Sequence, residues 1–209
     1  MSSSNGEMPP EYHYFLLNKP YNMVSQFVSS HRVRLLGSLT YCFPPDTHAI
    51  GRLDYQTEGL LLLTDDKRVT RLLFSSKIPH KRTYWVQVSG IVTEDNLTNI
   101  RNGLSLFGRG AKYYTSQPCE AEIMTPPADL FEAPRKLHPS VVFTWLCLTL
   151  TEGKYHQVRK MTAAVGHRCL RLIRASIEDL SLDSLAPGEV RAIKGEQFFA
   201  QLKITPPAR

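Results

Sequence analysis

Apolar positions along this chain fall into short clusters separated by polar and proline-bearing stretches, and most clusters have the length of a strand. Tyr14-Phe15-Leu16-Leu17 reads as a short buried strand ending at Asn18-Lys19-Pro20, with a turn at Tyr21-Asn22 and a second extended piece through Val24 and Phe27. Residues 32–41 carry a weak helical pattern, Phe43-Pro44-Pro45-Asp46 is a loop, and His48-Ala49-Ile50 is a strand. Residues 59–64 form a continuous apolar run, the pattern of a strand covered on both faces. Asp65-Asp66 can cap a following helix that turns Val69, Leu72 and Leu73 inward.

The second half continues in the same way. Residues 83–89 alternate and are rich in β-formers, so they predict a strand. Thr93 caps a helix whose apolar side is Leu97, Ile100 and Leu104 and which ends near Gly103. Strands are predicted at 119–124, 141–150, 169–173, 190–193 and 198–204, with a helix over 154–165 closed by Gly166. Residues 125–140, rich in proline and charge, form a long surface excursion. Strands outnumber helices and the helices are scattered among them, which predicts an α+β fold with a mixed, largely antiparallel sheet and flanking helices. No repeat or compositional break divides the chain. One domain is expected over 13–204, between a disordered tail at 1–12 and a short tail at 205–209.

Composition adds little until charge is located. A hydrophobic share of 42% and a charged share of 21% are ordinary for a globular protein. No apolar run approaches the ~20 residues of a membrane helix, and the amino terminus lacks a signal-peptide pattern. Four scattered cysteines make neither a disulfide framework nor a zinc site, so a reducing cytoplasm is the expected home. The net charge of +6 is uneven. Residues 67–82 hold six basic side chains and no acidic one, and residues 151–174 hold six against Glu152 alone. That separation suits one positive face for a polyanion such as nucleic acid, and equally two basic helices pointing different ways.

The candidate chemistry centres on Gly51-Arg52-Leu53-Asp54, followed by Tyr55-Gln56-Thr57-Glu58-Gly59-Leu60-Leu61. A carboxylate set just before a buried strand is poorly explained as surface charge, although an aspartate also caps turns through its own backbone. Three further segments accompany it: Asn18-Lys19-Pro20, Lys81-Arg82-Thr83-Tyr84 and the stretch from Glu152 to Met161, which contains Tyr155-His156-Gln157-Val158-Arg159-Lys160. In this order and spacing they resemble the successive motifs of the RsuA/RluA superfamily of RNA pseudouridine synthases, over about residues 13–195. Leu170-Arg171-Leu172-Ile173-Arg174 and the stretch from Ser181 to Glu189 look most like the RsuA branch, within it the subtype acting on 23S ribosomal RNA.

The resemblance implies a pseudouridine synthase fold with a central cleft and an isomerase that needs no cofactor. It implies Asp54 as the catalytic carboxylate, either attacking C1′ of the target nucleoside or removing a proton from C2′. It implies Arg159 as the counter-charge of Asp54, and Tyr84 as the ring that stacks on the uracil and helps remove the C5 proton. From local sequence alone Arg159 suits a helix surface and Tyr84 a half-buried strand position. Arg52 and Lys19 are expected at the edge of the site, in binding or support. Lys81, Arg82, Lys154, His156, Gln157, Lys160, Arg168, Arg171 and Arg174 are expected to contact substrate. Glu58 is expected to shape the turn, since this chemistry needs one carboxylate where a glycosidase needs two. No metal-ligand spacing occurs.

Two residues depart from the family pattern. Asn22 stands where glycine is common after Lys-Pro, and Asn tolerates the left-handed backbone such a turn requires. His156 stands where the RsuA branch commonly has arginine. The small basic S4 domain that precedes the catalytic domain in many relatives is not expected here, so docking of RNA is expected to rest on the catalytic domain itself, acting as a monomer. The competing readings are a catalytically silent RNA-binding or ribosome-assembly factor, and an RNA hydrolase using Asp54 with Glu58. The first predicts binding without turnover, the second a cut strand or a free base.

Overall fold

The computed structural model describes residues 12–74, 78–108 and 112–207. The tail expected at 1–12 falls almost wholly outside them, as do Lys77 of the first basic window and residues 208–209. Eleven strands and four α-helices are formed among the described residues: β1 (Tyr14–Lys19), β2 (His48–Ala49), β3 (Glu58–Thr64), α1 (Arg68–Phe74), β4 (Arg82–Ser89), α2 (Glu94–Asn102), β5 (Ser105–Phe107), β6 (Tyr113–Thr115), β7 (Glu120–Ile123), β8 (Phe143–Leu150), α3 (Gln157–Ala164), β9 (Cys169–Ile177), β10 (Leu180–Ser181), β11 (Val190–Ile193) and α4 (Gly195–Leu202). Nine of the strands make one sheet, in the order β11-β1-β3-β9-β4-β8-β7, with β10 beside β9 and β2 beside β3. The β5–β6 hairpin is separate. Every pairing in the large sheet is antiparallel except the short contact of β3 with β9. The α+β architecture expected from the sequence is the one observed.

Strand periodicity places the core. Tyr14 and Leu16 of β1 share one face with Leu60 and Leu62 of β3, against α1 and the Phe198, Phe199 and Leu202 face of α4. Phe15 and Leu17 share the other face with Leu61 and Leu63, covered by Met23, Leu36 and Leu53. Both faces of β3 are therefore closed, and Leu60 to Leu63 have no exposure. Burying each such side chain contributes about 1.5–3 kcal/mol, which anchors the loop that leads into β3. At the other end of the sheet, α2 and α3 close over β4, β8 and Leu172 of β9.

One glycine sets the sheet's parallel seam. Gly59 has φ +102°, and a Cβ there would stand 2.4 Å from the Arg174 carbonyl oxygen and 2.7 Å from its amide nitrogen. Only glycine lets β3 and β9 approach this closely.

Several boundaries differ from the sequence reading. Residues 198–204 do not form a strand; most of them lie in α4 and its cap. The paired phenylalanines and Ile204 suggest a strand, but Phe198, Phe199 and Leu202 are the buried face of a helix, with the Tyr14 ring stacked on Phe198 at 4.7 Å and edge-on to Phe199 at 5.3 Å between centroids. Residues 32–41 supply only a 3-10 turn at Leu36–Ser38, because Leu36 is the one residue of the segment that is buried. Helix α2 has the Thr93 cap as a capping box with Asn96, and stops before Leu104 because Gly103 takes φ +90°. The excursion over 125–140 contains no regular element, and β5, β6 and β10 are strands the sequence reading did not propose.

Candidate active site

Asp54 lies in the loop between β2 and β3, and its position is fixed from both sides. Ser25, itself buried, donates from Oγ to the Leu53 carbonyl at 3.1 Å and accepts from the Leu53 amide at 3.0 Å. The Thr57 amide then donates to the Asp54 carbonyl at 3.0 Å, closing the 54–57 turn. The Asp54 side chain, one-third exposed, points into a cleft of about 880 Å³.

The cleft wall opposite is made where β4 meets β9. Tyr84 is the cross-strand neighbour of Arg174, beside a register shift between Thr83 and Tyr84 that re-aims the strand. Both line the cleft with Asp54. Arg174 is buried; its Nε donates to the Leu60 carbonyl at 2.8 Å, while Nη2 has no hydrogen-bond partner among the described residues. Burial pushes its pKa down, and the Tyr84 hydroxyl beside it favours the cation.

The loop entering α3 supplies the third wall. His156 takes a left-handed conformation, φ 52°, at the helix's N-cap position, stacks on Tyr155 with centroids 3.9 Å apart, and brings Nε2 to 3.5 Å from Asp54 Oδ1. Lys154 and Lys160 line the cleft, their ammonium groups over the rings of Tyr114 and Tyr155. Arg52, Arg82 and Lys112 add to the basic lining, with Arg82 also covering the Phe74 ring at 5.5 Å.

Several sequence-predicted contacts stand elsewhere. Arg159 does not meet Asp54: among the described residues no ion pair joins them within 4.0 Å, and its Nη2 donates to the Gln56 carbonyl at 2.8 Å. The α3 turn carries its side chain to the far side of the 54–57 loop, and His156 takes the place beside the carboxylate. Gln157 lines the cleft but is buried, its amide bonded to the Lys154 amide and the Glu152 carboxylate. Lys19 is fully buried and holds the turn after β1, donating to the carbonyls of Pro20 at 2.9 Å and Met23 at 2.7 Å. Burial drives its pKa down to about 7, against the opposing pull of Glu58 and Asp54. Within that turn Asn22 adopts φ 55°, the left-handed geometry expected of it.

Arg171 is not available to a phosphate, because its guanidinium holds both oxygens of buried Glu58 at 3.0 Å. The same pair fixes Glu58 as a structural residue of the turn. Lys81 stands outside the cleft in an exposed pair with Glu120, and Arg168 lies beyond α3. Residues the sequence reading did not single out include Ser25, Phe74, Lys112, Tyr113 and Tyr114, all in the cleft wall. Only the aromatic-basic run at 112–114 carried a visible signal. Ser25 acts through a backbone 28 residues away.

Among the described residues, six lysine and arginine side chains line this cleft against Asp54 and Glu152, and Glu152 is already engaged by Gln157 and the Gln117 amide. Such a lining defines a nucleic-acid enzyme with one carboxylate left for chemistry. The chain belongs to the RNA pseudouridylate synthase family, whose pattern its residues 13–164 match. It is 40% identical over 174 residues to the ribosomal large subunit pseudouridine synthase E of Xanthomonas axonopodis pv. citri, covering 82% of this chain and 89% of that one. The protein of the same description from Vibrio parahaemolyticus is 36% identical, covering 86% of this chain and 73% of its own length. A crystal structure of a pseudouridylate synthase superimposes with a TM-score of 0.73 at 32% identity, over 92% of this chain and 74% of that one. The fold also recurs in human RNA pseudouridylate synthase domain containing 1, with a TM-score of 0.57 at 14% identity, over 94% of both chains. No helix among the described residues is long and apolar enough to cross a membrane.

Proposed function

We propose that this chain isomerises one uridine of large-subunit ribosomal RNA to pseudouridine in the cytoplasm, with Asp54 as the catalytic carboxylate. The observation that carries the reading is the convergence of Asp54, Tyr84 and a basic lining on one cleft. The reaction breaks the N1–C1′ bond, turns the base, joins C5 to C1′, moves the C5 proton away and leaves a proton on N1. It is balanced without an external reactant. Asp54 acts at the sugar, on C1′ or on the C2′ proton. The Tyr84 ring holds the base out of the RNA stack, and the buried Arg174 guanidinium supplies positive charge behind Tyr84 in the same wall. His156 supplies positive charge beside Asp54 when protonated, and Arg159 steadies the Gln56 backbone behind it.

The role of the basic rim is to neutralise phosphates around the flipped nucleotide. Lys154, Lys160 and Arg52 are placed for it, while Arg82 is more deeply set. Mapping pseudouridine across ribosomal RNA from cells lacking this protein tests the substrate. Loss of one large-subunit site, restored by the purified protein, is the expected result. An unchanged map would rule the substrate out.

A further inference from the structure

The 54–57 loop has a second basic groove behind it. On the side away from the cleft, Gln56 and Arg159 border a depression of about 350 Å³, closed on its outer side by the excursion over 125–140. That excursion is held against the sheet. The Arg171 guanidinium donates to the Phe131 carbonyl at 3.1 Å and lies over the Phe131 ring at 4.9 Å, while Leu130 and Phe131 pack on the core. It therefore presents Arg135 and Lys136 as one wall of the groove, facing Arg159 and Arg168 on the other. Among the described residues, no carboxylate lies within 4.0 Å of Arg135, Arg159 or Arg168, and the acid of the groove, Glu58, is held by Arg171.

Lys136 has only a loose, exposed pair with Glu132 at 3.9 Å. Facing walls that carry the guanidinium groups of Arg135, Arg159 and Arg168 without partner carboxylates repel each other unless an anion lies between them. A surface serving only solubility would intersperse the two signs. The groove also adjoins the loop that presents Asp54, so a chain leaving the cleft over that loop enters it directly. Resting on the pseudouridine synthase reading, we infer that this groove is a second binding track, taking the sugar-phosphate backbone of RNA that flanks the target nucleotide. Phosphate contacts of this kind set register and affinity and are blind to sequence.

The test compares a long RNA carrying the target and its flanks with a minimal hairpin that fills only the cleft. An Arg135→Gln/Lys136→Gln double variant alters one wall, and Arg168→Gln alters the other. For the long RNA, KM is expected to rise about ten-fold with kcat little changed, and the salt dependence of binding to become shallower by about 2 in the double variant. The hairpin is expected to react as with wild type. Equal effects on both substrates, or none on the long RNA, would overturn the proposal. A loss seen on ribosomal particles but not on protein-free RNA would overturn it too, in favour of a protein contact. Binding of the long RNA, read by fluorescence anisotropy, judges the groove even if wild type converts neither substrate. A drop in the variants then supports the track while the reaction assignment fails, and unchanged affinity rejects the track.

Discussion

The imidazole of His156 stands with Nε2 3.5 Å from Oδ1 of Asp54, in the place where the sequence motif suggests Arg159. The side chain gets there because residue 156 takes a left-handed backbone just before α3 begins. His156→Ala is expected to lower kcat about five-fold, the loss of about 1 kcal/mol for a half-exposed pair. His156→Arg places a permanent cation there and recovers most of that rate, with little further backbone cost because residue 156 already takes the left-handed conformation with a Cβ. Single-turnover rates with both variants check the assignment; an inactive His156→Arg of normal fold would refute it.

Gly59 and Arg174 meet backbone to backbone where β3 runs beside β9. Gly59→Ala combines a positive-φ penalty with a clash against backbone that cannot swing aside, so a loss of about 2–4 kcal/mol is expected in urea unfolding. Because Arg174 pairs across the sheet with Tyr84, the surviving folded protein should also turn over more slowly.

Ser25 reaches Asp54 only through the Leu53 backbone. Ser25→Ala leaves the buried Leu53 amide without its acceptor and is expected to cost about 1–3 kcal/mol. Since the carboxylate loses its positioning while the basic lining of the cleft stays in place, kcat should fall while KM stays near wild type. A change confined to KM would contradict this.

Lys19 makes stability depend on pH. Its pKa is about 7 in the folded protein against an ordinary 10.5, so between these values the unfolded chain binds the extra proton and stability rises with pH. The slope approaches about 1.4 kcal/mol per pH unit. The neutral amine still has two hydrogens for the carbonyls of Pro20 and Met23. Above about pH 9 the trend is opposed, because burial pushes the Cys119 and Cys169 thiols up to about 11 and the folded state then holds their protons longer. Urea unfolding from pH 7 to 9 should show the rise in wild type and a flatter line in Lys19→Met. The same slope in both proteins would rule Lys19 out as its source.

What the sequence discloses here follows the range of the forces involved. The run at 59–64, the Thr93 cap and the closing Gly166 are local signals, and each marks the element it predicts. The Asp54 loop was legible because its motif is contiguous. Side-chain direction was not: one left-handed residue at 156 exchanges His156 for Arg159 beside the carboxylate. Arg171 and Arg174 look alike in the sequence, yet Arg171 faces Glu58 and Arg174 faces the cleft, a difference fixed by contacts more than a hundred residues apart. For α4, composition favoured a strand, and the tertiary contact of Phe198 and Phe199 with Tyr14 decided for the helix.

The most direct measurement is tritium release from ribosomal RNA labelled at uracil C5, with wild type beside Asp54→Asn. The substitution keeps the size of the side chain and the turn and removes only the charge, so circular dichroism and urea unfolding should match wild type. Wild type is expected to release tritium in proportion to one site per RNA, and Asp54→Asn to release none above background. Equal release by a folded Asp54→Asn would contradict the assignment of catalysis to this carboxylate.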